Sequence, residues 1–250
     1  KKIRRNDAYT ADGEGGKRPD HSVVVYSQRC REAYKGVPIV IGGIEASLRR
    51  IAHYDYWSEK VRRSVIMDSK ADLLVYGNGE RQVVEIAHRL AQGEAVSELI
   101  DVRGTVYTRR HGRRDDWWEK DSTSIDKPGQ LNPPIDPYQM QTEESCEQSK
   151  AETAEQNAAP VEPATNVIKI HRVSPRNAEK TVIRLPRYET VKDDPIVYAH
   201  TSRILHLETN PGNALALVQQ HGDQDVWLNP PPIPLTTKEM DAVFDLPYSR

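Results

Sequence analysis

Cysteine is almost absent from this 250-residue chain, which contains only Cys30 and Cys146. Two cysteines so far apart form no disulfide framework and are too few for a zinc or iron–sulfur ligand set. No apolar run reaches the ~20 residues that cross a bilayer, and the basic residues 1–5 are not followed by the apolar segment of a signal peptide. Together these absences predict a cytoplasmic protein without a membrane partner.

Apolar residues are scarce for a chain of this length. Hydrophobic residues make up 37% of the sequence, with one Phe and 17 prolines. This composition is poor for one continuous core, so we expect part of the chain to be unfolded. The net charge of −2 is divided unevenly, because residues 1–70 carry 15 Lys and Arg against 9 Asp and Glu, whereas residues 139–165 carry 6 Glu and one Lys.

The familiar motifs of catalysis are missing. No serine or cysteine lies in a nucleophile motif, and no two carboxylates have the spacing typical of a hydrolase. The glycine spacing of dinucleotide-binding proteins and the Walker pattern with its Lys are also absent. We therefore assign no catalytic residue and no metal ligand.

Two short apolar runs, each followed by glycine, form the clearest pattern in the chain. Residues 37–41 precede Gly42 and Gly43, and residues 72–76 precede a second glycine turn at residues 77–79. Apolar runs without polar alternation are typical of strands that helices cover on both faces. The helical periodicity around them predicts an α/β fold, a partial Rossmann-like parallel sheet with flanking helices.

The same periodicity places the helices of this first region, residues 1–108. It predicts one helix over residues 23–34, with Asp20 as N-cap, and another over residues 80–92, with Gly93 at the C-cap position. Residues 102–107 add a strand. The region is expected to be incomplete at its start, because the first strand and helix of a full Rossmann unit are not found.

The remainder divides into two segments. Residues 109–180 lose periodicity and are rich in Glu, Gln, Ala and Pro, so we predict a long disordered insertion. Residues 181–250 are predicted to be helical and rich in proline. Their elements are a helix opening at Asp194 and Pro195, a short helix over 213–220, a strand over 226–228, an extended proline run over 229–234, and a last helix with Thr236 and Glu239 as capping box.

Residues around the two glycine turns are the first candidates for a ligand site. In open α/β sheets ligands bind beside the carboxyl ends of the strands, glycine lets a ligand approach the backbone, and a helix N-terminus favours an anion. Alternatively, they are tight strand-to-helix turns in which the two Glu interact with helix dipoles. The candidates are Gly42, Gly43, Glu45, Ser47, Gly77, Asn78, Gly79 and Glu80.

A basic, aromatic stretch over residues 49–63 is the second candidate. It interleaves basic residues with a histidine and aromatic residues, a mixture that suits stacking and phosphate contacts. The alternative is a helix with a solvated basic face and buried aromatic side chains. The residues are Arg49, Arg50, His53, Tyr54, Tyr56, Trp57, Lys60, Arg62 and Arg63.

Arg203, His206, Glu208 and Asn210 form a third polar group, near the end of the helix that opens at Asp194, and Arg203, His206 and Asn210 are its candidate ligand residues. His200 and His206 lie six residues apart and therefore cannot share a metal ion on one helix face. The alternative to a ligand site is a capped helix end.

Five longer runs carry a family resemblance. They are residues 42–58 (GGIEASLRRIAHYDYWS), 68–72 (DSKAD), 76–80 (YGNGE), 198–212 (YAHTSRILHLETNPG) and 226–235 (VWLNPPPIPL). Together they closely resemble the amino-terminal region of YgiQ-type radical S-adenosylmethionine (SAM) proteins. The resemblance covers most of the chain except about residues 109–180, and runs of this length are far more specific than a short glycine motif.

This resemblance implies a Rossmann-like domain of the cobalamin-binding type, placed before a radical SAM barrel whose three cysteines hold a [4Fe–4S] cluster. SAM binds the open iron of that cluster and is cleaved to a 5′-deoxyadenosyl radical. None of the three cysteines is matched here, and the Asp-x-His-x-x-Gly cobalamin signature is absent. The resemblance thus implies a piece of a longer enzyme whose catalytic half lies beyond Arg250, with no cofactor bound by this chain.

Three functions are compatible with these observations. The leading hypothesis is a non-catalytic accessory region of a radical SAM enzyme, inactive alone, whose glycine loops face the active site and whose partner is the radical SAM core of the same polypeptide. The second is a binding module that recognises nucleic acid or another polyanion through residues 49–63. A self-contained nucleotide-binding enzyme ranks last, because its catalytic group and phosphate loop are missing.

Overall fold

The computed structural model describes residues 6–112, 117–130 and 180–247, and a seven-stranded sheet organises them. The strands are β1 (Val40–Ile41), β2 (His53–Asp55), β3 (Lys60–Arg62), β4 (Leu73–Val75), β5 (Thr105–Arg110), β6 (Trp118–Asp121), β7 (Thr181–Arg184), β8 (Ala216–His221) and β9 (Gln224–Leu228). The helices are α1 (Ser22–Ala33), α2 (Gly43–Leu48), α3 (Val65–Ser69), α4 (Glu80–Ala91), α5 (Tyr188–Asp193), α6 (Pro195–Leu207) and α7 (Thr237–Phe244).

The central sheet has the strand order β1-β4-β5-β9-β8-β7-β6. Its pairs β1–β4, β6–β7 and β7–β8 are parallel, whereas β4–β5, β5–β9 and β8–β9 are antiparallel. The predicted α/β class is confirmed, as is the parallel arrangement of the two strands that precede the glycine turns. The β8–β9 pair is antiparallel because a tight turn at Gly222, with φ of +64°, joins the two strands. Strands from residues 40–110 and from residues 181–228 thus lie in one sheet.

Both faces of this sheet are buried at its inner strands, which explains the apolar run of β4 without polar alternation. Leu74, Val106 and Leu228 pack with residues of α2, α3 and α6 on one face. Leu73 and the fully buried Trp227 pack with residues such as Ile86 of α4 on the other. Alternate side chains point to opposite faces, so β4, β5, β7, β8 and β9 each contribute to both clusters.

Local signals at three helices are confirmed. Asp194 Oδ1 accepts the backbone N–H of Ile196 at 2.8 Å and so caps α6. Thr236 and Glu239 form the predicted capping box of α7. The helix predicted over residues 80–92 is α4, and Gly93 follows it with φ of +89°.

Two sequence-based predictions are wrong, and the bounds of a third are too wide. Residues 213–220 do not form a helix, because β8 is buried between β7 and β9 and gains their backbone hydrogen bonds. Asp20 is not the N-cap of α1, a position that His21 occupies without a side-chain hydrogen bond. The segment predicted to be disordered contains β6, which pairs with β7. Residues 113–116 and 131–179 of that segment lie outside the described residues.

Within the described ranges, no helix has the length and apolar character needed to cross a membrane.

Candidate functional site

The two glycine turns lie side by side at one edge of the sheet. Because β1 and β4 are parallel neighbours, their carboxyl ends meet there. The backbone N–H of Gly77 donates to Ser47 Oγ on α2 at 3.2 Å, which joins the two turns directly. We call this arrangement, residues 42–47 with residues 77–80, the glycine edge.

The glycines of this edge differ in their surroundings. Gly43 has φ of +80°, and a Cβ built there would meet no atom within 4 Å. Gly77 has φ of +71°, and its Cβ would lie 3.4 Å from Pro232 Cγ. Gly79 is closed in, since its Cβ would approach Val75 Cγ1 to 2.9 Å. The backbone at Gly43 is therefore open to an approaching ligand, whereas the positive φ at Gly77 and the close packing at Gly79 favour glycine at those positions.

A proline run covers one side of the glycine edge, and Asn229 holds it there. The buried Tyr76 hydroxyl donates to the carbonyl of Asn229 at 2.5 Å. The Asn229 side-chain amide donates to the carbonyls of Ile100 and Val102, both at 2.9 Å, and to Thr105 Oγ1 at 3.0 Å. Burial raises the pKa of Tyr76, so its hydroxyl remains a donor. The sequence indicated the proline run but not the role of Asn229.

The side chains of Glu45 and Arg49 make hydrogen bonds within the protein. Glu45 Oε2 accepts from Ser22 Oγ at 3.0 Å and from the backbone N–H of Val23 at 3.4 Å, so it caps α1. Its Oε1 accepts from Arg49 Nη1 at 2.9 Å. The same nitrogen lies 3.3 Å from His21 Nδ1. Glu45 thus interacts with the N-terminus of a neighbouring helix.

Arg50 is enclosed beneath the glycine edge. Its guanidinium carbon lies 4.9 Å from the centre of the Tyr76 ring, and its Nη1 donates to the Ser47 carbonyl at 2.5 Å. Burial lowers the pKa of Arg50. The side chain lines a cavity of about 80 Å³ together with Glu208 and Asn229. This residue supports the two turns from below.

The stretch over residues 49–63 is not one helix, so that alternative is wrong. It contains the antiparallel hairpin β2–β3, whose turn includes Glu59 at φ of +51°. The aromatic side chains of the hairpin are exposed, by 49% at Tyr54, 65% at Tyr56 and 62% at Trp57. In the hairpin these rings lie on the surface, whereas the helix alternative predicted that they are buried.

Most of the basic residues in this stretch have acidic partners. Arg62 Nε donates to Asp55 Oδ2 at 2.9 Å, and Arg63 Nε donates to Asp68 Oδ1 at 2.5 Å. Lys60 and Arg50 are the exceptions, since neither makes an ion pair within the part of the chain that the structure describes, and Arg50 lies against the Tyr76 ring. The stretch therefore offers a phosphate fewer free cations than its sequence suggests.

His53 is held as a neutral imidazole at the base of the hairpin. Its Nδ1 lies 3.2 Å from the Ile51 carbonyl, and its buried Nε2 has no partner among the described residues. Burial lowers the pKa of His53, and the charge of Arg49 adds to this effect.

The remaining candidates do not join the glycine edge. Arg203 Nε lies 3.2 Å from Asp126 Oδ1. Asn210 Oδ1 accepts the backbone N–H of Gly212 at 3.0 Å and forms the turn after α6, while the carbonyl of His206 accepts from Thr209 Oγ1 at 2.7 Å. These are the contacts of a capped helix end. Asn78 and Glu80 are exposed.

The structure adds a groove that the sequence did not indicate. It lies between the β2–β3 hairpin and helices α5 and α6, and it brings Tyr54 together with Tyr188, Lys192 and Tyr198. Tyr188 and Lys192 are one helical turn apart, so they share a face, but nothing local links that face to a hairpin more than 120 residues earlier.

Comparison with known proteins decides the family. The whole chain, residues 1–250, matches the family described as radical SAM N-terminal. The chain belongs to that family. It is 58% identical over 255 residues to a UPF0313 protein of Pseudomonas aeruginosa, and 57% identical over 256 residues to one of Chromobacterium violaceum. It is 52% identical over 250 residues to the UPF0313 protein YgiQ of Escherichia coli.

These relatives are much longer than this radical SAM N-terminal chain. The matches cover 100%, 99% and 100% of this chain but 33% of each relative, so the chain spans about a third of their length. No solved structure matches the chain. The predicted resemblance to YgiQ-type proteins is confirmed.

The residues of this chain do not fit an iron–sulfur cluster. Cys30 is exposed on α1, and Cys146 lies outside the described residues. The cluster of a radical SAM protein takes three cysteines, and the sequence contains two. Among the described residues, no group of three His, Cys, Asp or Glu is placed to hold a metal ion.

Proposed function

We propose that this chain is a non-catalytic accessory region of a radical SAM enzyme, and that its glycine edge faces the substrate side of the catalytic core. One observation carries the proposal. In a chain of the radical SAM N-terminal family, two glycine turns meet at the carboxyl ends of parallel strands, where α/β sheets place their ligands.

The glycine edge positions a ligand and does not react with it. Its accessible groups are backbone amides at Gly43 and the exposed Asn78 side chain, which suit hydrogen bonds to a polar substrate. The carboxylate of Glu45 accepts hydrogen bonds from Ser22 of α1 and from Arg49, so it is occupied by contacts within the protein. Radical generation then belongs to residues outside this chain, which would hold the [4Fe–4S] cluster and SAM.

An apolar face suits contact with that catalytic core. We call it the α4–α7 face, a groove of about 520 Å³ whose apolar lining includes Val84, Leu235, Ala242 and Val243. Val84 is 55% exposed, and Phe244 beside the groove is 75% exposed. Exposed apolar patches on polar proteins are typical of surfaces that another protein surface covers. Because the relatives are about three times as long, we propose the radical SAM core of the same polypeptide as that cover.

The test compares the 250-residue chain with the longer parent protein. Both are expressed anaerobically and supplied with iron and sulfide, and iron content and electron paramagnetic resonance spectra are recorded with and without SAM. We expect the parent to show a reduced [4Fe–4S] signal that SAM perturbs, and the 250-residue chain to hold no stoichiometric iron. Such a protein belongs in the reducing cytoplasm, as its two lone thiols also indicate.

Two results would contradict the proposal. Stoichiometric iron in the 250-residue chain would mean that this part carries a metal centre of its own. If the parent contains no cluster, or if SAM does not change the signal of its cluster, the proposed radical SAM activity is wrong and a binding module remains.

A further inference from the structure

The groove between the β2–β3 hairpin and helices α5 and α6 has the side chains of a nucleotide site. Its volume is about 600 Å³, within the range of roughly 300–1,000 Å³ for small-molecule sites. We call it the tyrosine groove. It is lined by Tyr54, Glu59, Lys60, Val61 and Arg62 of the hairpin and by Tyr188, Val191, Lys192, Pro195 and Tyr198 of the two helices.

Tyrosine rings form its walls, and contacts between the hairpin and the two helices hold them in place. Tyr198 Oη accepts the backbone N–H of Tyr54 at 3.1 Å, and Tyr188 Oη donates to the Val61 carbonyl at 3.3 Å. The Tyr188 ring also stacks on His221, with ring centres 5.2 Å apart and planes 12° from parallel. Because the hydroxyls and one ring are fixed, the walls are prepared before a ligand arrives.

Cationic groups lie beside these rings. Lys60 and Lys192 form no ion pair within the described ranges. Arg62 uses its Nε for Asp55, and its terminal nitrogens make no hydrogen bond within those ranges. Glu59 is the one carboxylate in the lining. The lining therefore carries a positive excess, with ammonium and guanidinium donors available to phosphate oxygens.

We infer that the tyrosine groove binds a nucleotide, with the base against tyrosine rings and the phosphate at Lys60, Lys192 and Arg62. Aromatic rings give base stacking and cations give phosphate contacts, and both are needed to distinguish a nucleotide from a bare anion. Tyr56 and Trp57, exposed at the hairpin turn with ring centres 4.8 Å apart, would extend the stacking surface for a single strand. The ligand chemistry is the same for a free nucleotide and for one nucleotide of single-stranded RNA.

This inference goes beyond the accessory role. It requires neither the cluster nor SAM, and it uses none of the residues of the glycine edge. It also changes which residues of the stretch 49–63 are expected to contact a polyanion. Arg49 and Arg50 make contacts within the protein, whereas Lys60 and Arg62 line the groove.

The experiment uses the 250-residue chain and two probes. Adenosine monophosphate is titrated by calorimetry, and a fluorescein-labelled single-stranded RNA of about 12 nucleotides is followed by anisotropy at roughly 50 mM salt. The groove variants are Lys60→Gln with Lys192→Gln, and Tyr54→Leu. The matched controls are Lys35→Gln with Lys238→Gln, and Tyr26→Leu, which change exposed residues outside the groove. Circular dichroism melting checks that every variant is folded.

We expect each groove variant to weaken binding at least about tenfold, since stacking and phosphate contacts each contribute on that scale. The double lysine variant should also reduce the slope of the salt dependence, by roughly 0.7 for each phosphate that it no longer neutralises. The controls should bind like the original chain. Binding of the mononucleotide alone supports a free nucleotide as ligand, and binding of RNA alone supports a strand.

Three results would overturn the inference. The first is no binding of either probe at low salt. The second is undiminished binding by folded groove variants, which would place the binding site elsewhere. The third is loss of binding in the lysine variant but not in Tyr54→Leu, which would indicate a simple polyanion surface. None of these results depends on iron in the parent, so the outcome is separate from that of the accessory role.

Discussion

At the scale of single residues, burial decides whether a charged side chain is available to a ligand. Glu45 and Arg50 have the residue types expected of a polar site, yet Glu45 caps α1 and Arg50 lies over the Tyr76 ring. Lys60 and Asn78 come from the same candidate regions and remain accessible. Residue type suggests all of these positions equally, and only the packing separates the structural ones from the accessible ones.

His221 is a buried histidine whose protonation should govern the acid stability of the chain. Its ring stacks on Tyr188, and its Nε2 lies 3.1 Å from Gln219 Oε1. Burial, reinforced by the charge of Arg63, lowers the pKa of His221 to about 4. In the unfolded chain the pKa is near 6.5. As the pH falls, the unfolded state therefore takes up the proton first.

We predict that the stability due to neutral His221 is complete above about pH 6.5 and is lost as the pH falls toward 4, by at most about 3 kcal/mol. Urea unfolding between pH 7 and 4 measures this loss. His221→Gln should flatten the pH dependence, whereas His88→Gln, at an exposed position of α4, should leave it unchanged. Equal pH dependence in the original chain and His221→Gln would show that other groups are responsible.

At the scale of elements, the sequence predicted those parts whose signals are local. Helices α4, α6 and α7 have periodicity and caps within the helix or beside it. Strand β8 was predicted as a helix because its Ala and Leu residues favour one, and its neighbours in the sheet decide otherwise. Strand β6 has four exposed residues and no apolar pattern, so only its pairing with β7 makes it a strand.

The same division applies to the candidate sites. The glycine edge could be anticipated, because parallel neighbours place their carboxyl ends together and the glycines follow directly in sequence. The tyrosine groove could not, since Tyr54 and Tyr198 are separated by 144 residues and meet only through tertiary packing.

Arg81 attaches the last helix to α4, which gives a prediction about α7. Its guanidinium donates to Glu239 at 2.7 and 2.5 Å and to the carbonyls of Ile233 at 2.9 Å and Pro234 at 3.1 Å. We expect Arg81→Ala to release α7 and to speed hydrogen exchange over residues 237–244. Arg89→Ala is the control on the same helix, because Arg89 binds Glu94 and Asp101 instead. Equal exchange of α7 in both variants would show that Arg81 does not hold it.

At the scale of the whole molecule, three surfaces are separately testable, and only Glu80 is shared by two of them among the described residues, the glycine edge and the α4–α7 face. The glycine edge is formed by residues 42–47 and 77–80, and the tyrosine groove by the hairpin with α5 and α6. The α4–α7 face presents apolar side chains such as Val84, Leu235 and Val243 beside charged residues that include Arg81 and Glu239. Under the proposed accessory role, the first surface would hold a substrate and the third would contact the catalytic core.

The α4–α7 face should matter only in the longer protein. Val84→Glu places a carboxylate on a side chain that is 55% exposed, so we expect the melting temperature of the 250-residue chain to stay nearly unchanged. In the parent the same carboxylate would be buried unpaired against the core, which is strongly unfavourable.

Hydrogen exchange should show α4 and α7 protected in the parent relative to the isolated chain, and Val84→Glu should remove that protection. Tyr26→Glu, at a residue of α1 that is 53% exposed, is the matched control. Identical exchange of α4 and α7 in the isolated chain and in the parent would mean that the catalytic core packs elsewhere, and the glycine edge would then need a different route to the substrate.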